Sequence, residues 1–291
     1  MHEILAFMWD RRTGQVVRKP VPVSPNDYPF LSVSPTQRLW RYMEADKFEN
    51  LLSTSSLYFA RGDRFKDDPW ESRFASGQKD FSDGDKRVFE SFGVALPFHE
   101  AVRIHEQHRK CIFVSCWQRA RRESLRMWHA RVPDSVVVMT TARTFEKFLP
   151  KHILKHAVKY HDDGFARSMI FGYNSLAFFK PKVFDYESEY RLLLSLQQGD
   201  SVSLDDAQKD FKRLVSIKLK RDIDRVITHP MASAAFKRHI DSLLKSKVPG
   251  LWRENSLIST REFLDYTPPL TPQPLKTMPP DAFPGDFVGN P

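Results

Sequence analysis

The chain has 291 residues, 41% of them hydrophobic and 28% charged, with a formal net charge of +9. That balance is enough for a sizeable core and excludes a wholly disordered polymer; a content of only two cysteines excludes a disulfide scaffold. No apolar run approaches the roughly 20 residues that cross a bilayer, so no membrane partner is expected, and the basic excess admits nucleic acid or anionic ligands without requiring either.

Residues 1–35 read as a loosely structured lead-in punctuated by Pro20, Pro22, Pro25, Pro29 and Pro35. Within it, Ile4–Trp9 and Gln15–Arg18 suit a peripheral hairpin turning at Thr13–Gly14. Met1–Asp10 has neither a basic n-region nor a small-residue cleavage site, so a signal peptide is not expected and the cytoplasm is the expected compartment. Leu39–Met43 reads as a strand, Ala45–Leu52 as a helix burying Phe48, Leu51 and Leu52, and Leu57–Ala60 as a second strand. After a polar loop, 84–109 is predicted helical, Cys111–Trp117 a strand and Ser124–Ala130 a basic helix.

The β-branched run Ser135–Thr140 predicts a buried strand, and Thr144–Tyr160 a helix kinked near Pro150. Further strands are expected at Ser168–Tyr173, Val183–Tyr186, Glu189–Leu196, Arg213–Leu219 and Asp222–Thr228, then a helix after His229–Pro230 with Phe236, Ile240, Leu243 and Leu244 on its apolar stripe. Eight of the twenty prolines fall in 267–291, which suits an extended, solvated tail or a Pro-rich ligand for a partner domain. There is no regular βαβ alternation. The expected fold is therefore α+β: a single mixed domain over 36–265, with a central, largely antiparallel sheet and peripheral helices, flanked by the 1–35 lead-in and a disordered tail at 266–291.

The best candidate site is Tyr186-Glu187-Ser188-Glu189-Tyr190-Arg191. Two carboxylates two positions apart in a strand point to one side, and such a pair divides acid and base roles when its environment separates the two pKa values. The same spacing also describes a charged strand face with Arg191 as partner. Arg41, between Trp40 and Tyr42, either meets solvent or aims into a cleft. Arg119, Arg121, Arg122, Arg126 and Arg131 cluster around Trp117 and Trp128, as a solvated face or a phosphate-capturing patch for a nucleotide or nucleic acid. Asp67, Asp68 and Glu71 suit a turn, or a metal site in a nuclease. His152 and His156 are four apart, as zinc binding on a helix requires, but Ile153 stands where the protease signature needs Glu; no metal site is assigned. Cys111 and Cys116 fall on opposite strand faces and read as free thiols. The chain has no Walker loop, Gly-x-Gly-x-x-Gly or nucleophile elbow.

In order, Leu39-Trp40-Arg41-Tyr42, Leu57-Tyr58-Phe59-Ala60 and Phe65-Lys66-Asp67-Asp68-Pro69-Trp70-Glu71 resemble the opening motifs of the bacterial domain of unknown function 2971. Val114-Ser115-Cys116-Trp117 with Leu125-Arg126-Met127-Trp128-His129-Ala130 is similar to that family's centre, and Lys180 with Tyr186–Leu192 to its later element. The chain has Asp67 where the family has Asn, and lacks the family's Ser between Trp128 and His129. The order Arg41, Ser115, Glu187-Ser188-Glu189 also resembles that of Arg-Ser-Glu ADP-ribosyltransferases. That resemblance implies NAD as substrate, with Arg41 on its pyrophosphate, Ser115 on the nicotinamide ribose, Glu189 stabilising the developing cation and Glu187 orienting the acceptor. It also suggests a setting in defence or toxin biology. The expected cleft joins Glu189, Glu187 and His129 as catalytic residues to Arg41, Tyr42, Ser115, Trp128 and Arg191 as cofactor-binding ones. Against this enzyme stand a nucleic-acid-binding or metal-dependent nuclease protein and a non-catalytic interaction module.

Overall fold

The computed structural model describes residues 2–10, 15–23, 31–65, 86, 99, 106–160, 173–180, 182–196 and 211–269, the first two segments as backbone. Strands β1 (His2–Asp10) and β2 (Gln15–Val23) form an antiparallel hairpin longer than expected, reaching through Pro20 and Pro22. A two-stranded ribbon leaves each strand an open edge, where a missing N–H is tolerated. Next come β3 (Arg38–Glu44), α1 (Ala45–Thr54), β4 (Ser56–Arg61), β5 (Ile112–Arg119), α2 (Leu125–His129), β6 (Ser135–Thr141), α3 (Ala142–Phe148), β7 (Leu154–Ala157) and β8 (Lys159–Tyr160). The chain continues through β9 (Phe179–Lys180), β10 (Glu189–Ser195), β11 (Lys212–Ser216), α4 (Leu219–Asp222), β12 (Arg225–Thr228), α5 (Ala234–Lys247), β13 (Arg253–Asn255) and α6 (Thr260–Asp265).

Nine of these strands form one sheet in which every pairing but β12–β13 is antiparallel, so the α+β expectation holds. Among the described residues no helix is long and apolar enough to cross a membrane. Strand β6 is buried over Ser135–Thr140, as its β-branched run requires. One face of the sheet, carrying Leu39, Phe113, Trp117, Tyr190 and Leu192, packs against Phe48 and Leu52 of α1, Phe145 of α3 and Phe236, Ile240 and Leu244 of α5. The opposite face carries two smaller apolar clusters, one around Trp40, Tyr42 and Trp128 and one around Val114, Phe178 and Leu193.

Strand β5 carries the feature that positions the site. One of its edges pairs with β10 from Ile112 to Gln118. The other edge is shared: β4 pairs with it at Phe113 and Val114, and β3 at Gln118 and Arg119. Over Ser115–Trp117 that edge has no strand partner, so the sheet splits there and β3 and β4 diverge.

Several expectations are corrected. The helix predicted over 144–160 stops at Phe148, and Leu154–Ala157 becomes a strand beside β10. Pro150 ends the helix outright, and the vacant edge of β10 recruits the residues beyond it. The strand predicted at Val183–Tyr186 is a 3₁₀ turn over Lys182–Glu187. Tyr173, the end of another predicted strand, begins a 3₁₀ turn running to Phe178; most of that strand and of the helix at 84–109 lies outside the described residues. The region Asp222–Thr228 forms a strand only from Arg225, because Leu219–Asp222 is helical.

Gly62 continues the β4–β5 contact below the split. A methyl group there would meet Ile112 Cγ1 at 2.8 Å and the Arg109 carbonyl at 2.9 Å, so Gly62→Ala should destabilise the protein by about 2 kcal/mol, measurable as a lowered urea midpoint.

Candidate functional site

Arg41 occupies the split in the sheet. Its Nη1 donates to Ser115 Oγ on β5 at 2.8 Å and its Nη2 to the Tyr58 carbonyl on β4 at 3.1 Å. The guanidinium therefore ties three diverging strands together, with its carbon 5.8 Å from the Trp117 ring centroid. Burial pulls its pKa down, against Cys116 and Tyr58, yet an arginine stays charged under any such pull.

On the face opposite the main core, Trp40, Gln118 and Glu189 form one cross-strand row, since residues paired in register share a face. A cleft of about 1040 Å³ opens over this row. Its wall includes Arg41, Tyr42, His129, Lys180, Glu187 and Glu189, and it runs between β3 and β4 to Asp46, Lys47 and Asn50 of α1. Lining cations outnumber acids: Arg41, Lys47, Arg126, Arg131, Lys180 and Lys212 face Asp46, Glu187 and Glu189. Aromatic surface comes from Trp40, Tyr42, Tyr58, Phe65, Trp117 and Tyr186.

The two glutamates meet for a reason different from the one the sequence suggests. Glu187 ends the 3₁₀ turn, Glu189 begins β10, and Ser188 between them has φ 44°, in the left-handed region. That turn, rather than strand periodicity, brings both carboxylates to the cleft. Buried Lys180 reaches Glu187 Oε2 at 2.5 Å and Glu189 Oε1 at 3.6 Å. Arg191, fully buried, donates from Nε to Glu189 Oε2 at 2.6 Å and from Nη1 to the Ala177 carbonyl. Burial alone would raise the Glu189 carboxyl, but Arg191 and then Lys180 outweigh it and hold the group below the usual carboxylate range. The Glu189 N–H donates to the Tyr160 hydroxyl at 2.8 Å; burial and then the nearby carboxylate push that phenol well above its ordinary value.

His129 lies in the same wall, turned toward α6: its ring stacks on Phe263 at 4.1 Å and its Nε2 lies 2.9 Å from the Phe263 carbonyl. A carbonyl only accepts, so Nε2 carries a hydrogen and Nδ1 is the basic nitrogen of the neutral ring. Buried Glu123 fixes the chain leading into α6, accepting from Trp128 Nε1 at 2.9 Å, the Ser256 hydroxyl at 2.6 Å and the Leu257 N–H at 2.9 Å.

Arg41, Tyr42, His129, Glu187 and Glu189 all line this cleft, Arg41 from the main-core face of the sheet that it shares with Leu39 and Ser115, and Glu189 from the opposite face. The structure sets three other candidates behind the wall: Ser115 beneath Arg41, Trp128 within the smaller apolar cluster and Arg191 beneath Glu189. None of these three lines the cleft, and each contacts a residue of its wall or core instead. The basic cluster divides as well. Arg119 donates to the Ser188 carbonyl, Arg126 stacks 3.3 Å over the Tyr186 ring and lines the cleft with Arg131, and Arg121 and Arg122 are exposed.

His152 and His156 do not share a helix face, since His152 is in a turn and His156 in β7. Asp67, Asp68 and Glu71 lie outside the described residues, among which no three His, Cys, Asp or Glu side chains converge as metal ligands. No disulfide joins Cys111 and Cys116, which are both half-buried, with Cys116 in the cleft wall. Gln118 and Tyr160 escaped notice in the sequence; a glutamine inside the buried run Ile112–Gln118 was the available signal for the first.

No protein-family model, no curated protein and no solved structure matches this chain. Its chemistry is read from the cleft itself.

The charge cluster makes two pH predictions. Glu189, with its folded pKa below 4.5, contributes stability that is present above pH 4.5 and lost as pH falls through the folded value. Lys180→Met should weaken that hold, shift the acid loss of structure to higher pH in a circular-dichroism titration, and cost about 3 kcal/mol at neutral pH. His156, opposite Arg191 on β7, is pushed down by burial and Lys155 to about 4 from 6.5. Only the unfolded imidazole takes up a proton between those values, so stability is full above pH 6.5 and falls toward pH 4; in His156→Phe, urea midpoints at pH 7 and pH 5 should differ less than in the parent protein.

Proposed function

We propose that the cleft binds NAD and breaks its nicotinamide–ribose bond, passing ADP-ribose to water or to a nucleophilic acceptor. The observation that carries this reading is one aromatic-walled cleft, with an excess of cations, that Arg41, Glu187 and Glu189 all line. A dinucleotide needs positive charge for its pyrophosphate and planar surface for its rings. Arg41 supplies the first together with Arg126 and Arg131, and Tyr42, Tyr58 and Tyr186 the second.

The reaction needs little proton transfer at its first step. The C1′–N bond breaks with its electron pair going to the pyridinium nitrogen, so nicotinamide leaves neutral and an oxocarbenium forms at C1′. The Glu189 carboxylate, kept ionised by Arg191 and Lys180, stabilises that cation. The acceptor then attacks C1′ through oxygen or nitrogen and releases its proton to Glu187, which returns it to water. Ser115 acts through Arg41, holding the guanidinium at the cleft.

Purified protein incubated with NAD should release nicotinamide, followed by chromatography. Glu189→Gln should slow release at least ~100-fold while calorimetric NAD binding survives. Arg41→Met should chiefly weaken binding. A protein that neither binds NAD nor releases nicotinamide, with a cell extract supplied as a source of acceptors, would sink the reading.

A further inference from the structure

Gln118 is 7% exposed and lines the cleft, yet its side-chain Oε1 is enclosed and accepts no hydrogen bond from any described residue, so that a half-turn of the amide, exchanging Oε1 with Nε2, is what would present the oxygen to a ligand. Its backbone belongs to β5, between Trp40 of β3 and Glu189 of β10. A buried amide oxygen without a donor is unfavourable by an amount comparable to a lost hydrogen bond, and leucine or methionine would fill the same strand position without that penalty. An unpartnered amide in a cleft wall is therefore a group awaiting a ligand.

We infer that Gln118 reads the carboxamide of the nicotinamide ring and so sets the substrate's identity. This rests on the NAD reading of the cleft. The complementary partner of a primary amide is a second one, whose NH₂ donates to Oε1 and whose carbonyl accepts from Nε2. The adenine edge, an amine beside a ring nitrogen, offers the same donor–acceptor chemistry. Position decides between them. Gln118 and Glu189 are directly opposed on neighbouring strands, with side chains about 5 Å apart on one face. If Glu189 faces C1′ of the ribose, Gln118 stands roughly one pyridine ring away, where the carboxamide lies; the adenine is a pyrophosphate and two riboses distant. Trp40, on the other side of Gln118 in the same row, has its indole N–H committed to the Ala120 carbonyl at 2.9 Å and presents only ring surface to the cleft.

Nicotinic acid adenine dinucleotide, in which a carboxylate replaces the carboxamide, has no N–H to offer Oε1. Nicotinamide hypoxanthine dinucleotide changes only the adenine. The test compares kcat/KM and calorimetric affinity for these two and NAD. The expected result is a preference of about 30-fold for NAD over the nicotinic acid analogue, with the hypoxanthine analogue within about 3-fold of NAD. Gln118→Met should abolish that preference while the thermal midpoint of the free protein stays level or rises, an outcome a merely structural glutamine would not give. The wild-type comparison stands even if that variant fails to fold.

Equal use of NAD and the nicotinic acid analogue overturns the assignment, as does a preference that survives Gln118→Met. Discrimination against the hypoxanthine analogue instead would move Gln118 to the adenine end and also overturn it. A wild-type protein that binds none of the three removes the NAD reading itself, a result distinct from binding without discrimination.

Discussion

A single guanidinium holds the split sheet together, and the cleft exists because the sheet splits. Strand β5 gives one edge to β10 and divides the other between β3 and β4, leaving Ser115–Trp117 without a ladder partner. Exposed polar groups at such a gap normally invite water or a second strand. Here Arg41 enters from β3 and satisfies a hydroxyl on β5 and a carbonyl on β4. Its planar fork suits bridging groups that diverge, where a lysine would offer one compact charge. The side chain that closes the gap structurally also presents a cation to the cleft, so the site and the sheet share one constraint.

The second constraint is electrostatic. Glu187 and Glu189 would repel each other in a half-buried wall if left alone. Lys180 bridges them from one side and Arg191 fixes Glu189 from beneath, with Tyr160 accepting the Glu189 N–H. Burying four charged groups for stability alone is a poor use of a wall position, since apolar residues of similar volume do as well or better. The arrangement suits a carboxylate that must stay ionised and fixed in orientation beside a developing positive charge. Ser188, in a conformation that side-chain-bearing residues rarely adopt, is where the backbone accommodates it.

Where short-range pattern dominates, the sequence was legible. Alternation marked β3 and β4, β-branched residues marked β6, and the stripe Phe236, Ile240 and Leu244 marked α5. The failures fall where a neighbour decides. His152–Ala157 carries an apolar pattern that fits a helix as well as a strand, and the vacant edge of β10 settles it. Lys182–Glu187 was misread because a 3₁₀ turn and a short strand present similar side-chain spacing over so few residues. Strand β13 and helix α6 carried too little periodicity to be noticed: β13 is placed by pairing with β12, and the turn into α6 is held by Glu123, more than 130 residues earlier in the chain.

By itself the sequence determined the α+β class, most central strands and the chemical identity of the best site residues, because those follow from side-chain pattern and residue type. It could not determine which of those residues face one cleft. Arg41, His129 and Glu189 come from three distant segments, and their meeting depends on strand order and register. Only the tertiary structure decided that Ser115, Trp128 and Arg191 stand behind the wall while Gln118 stands in it. The reason is physical: a strand's period fixes which side chains share a face, but the strands laid beside it decide whether that face meets core, solvent or ligand.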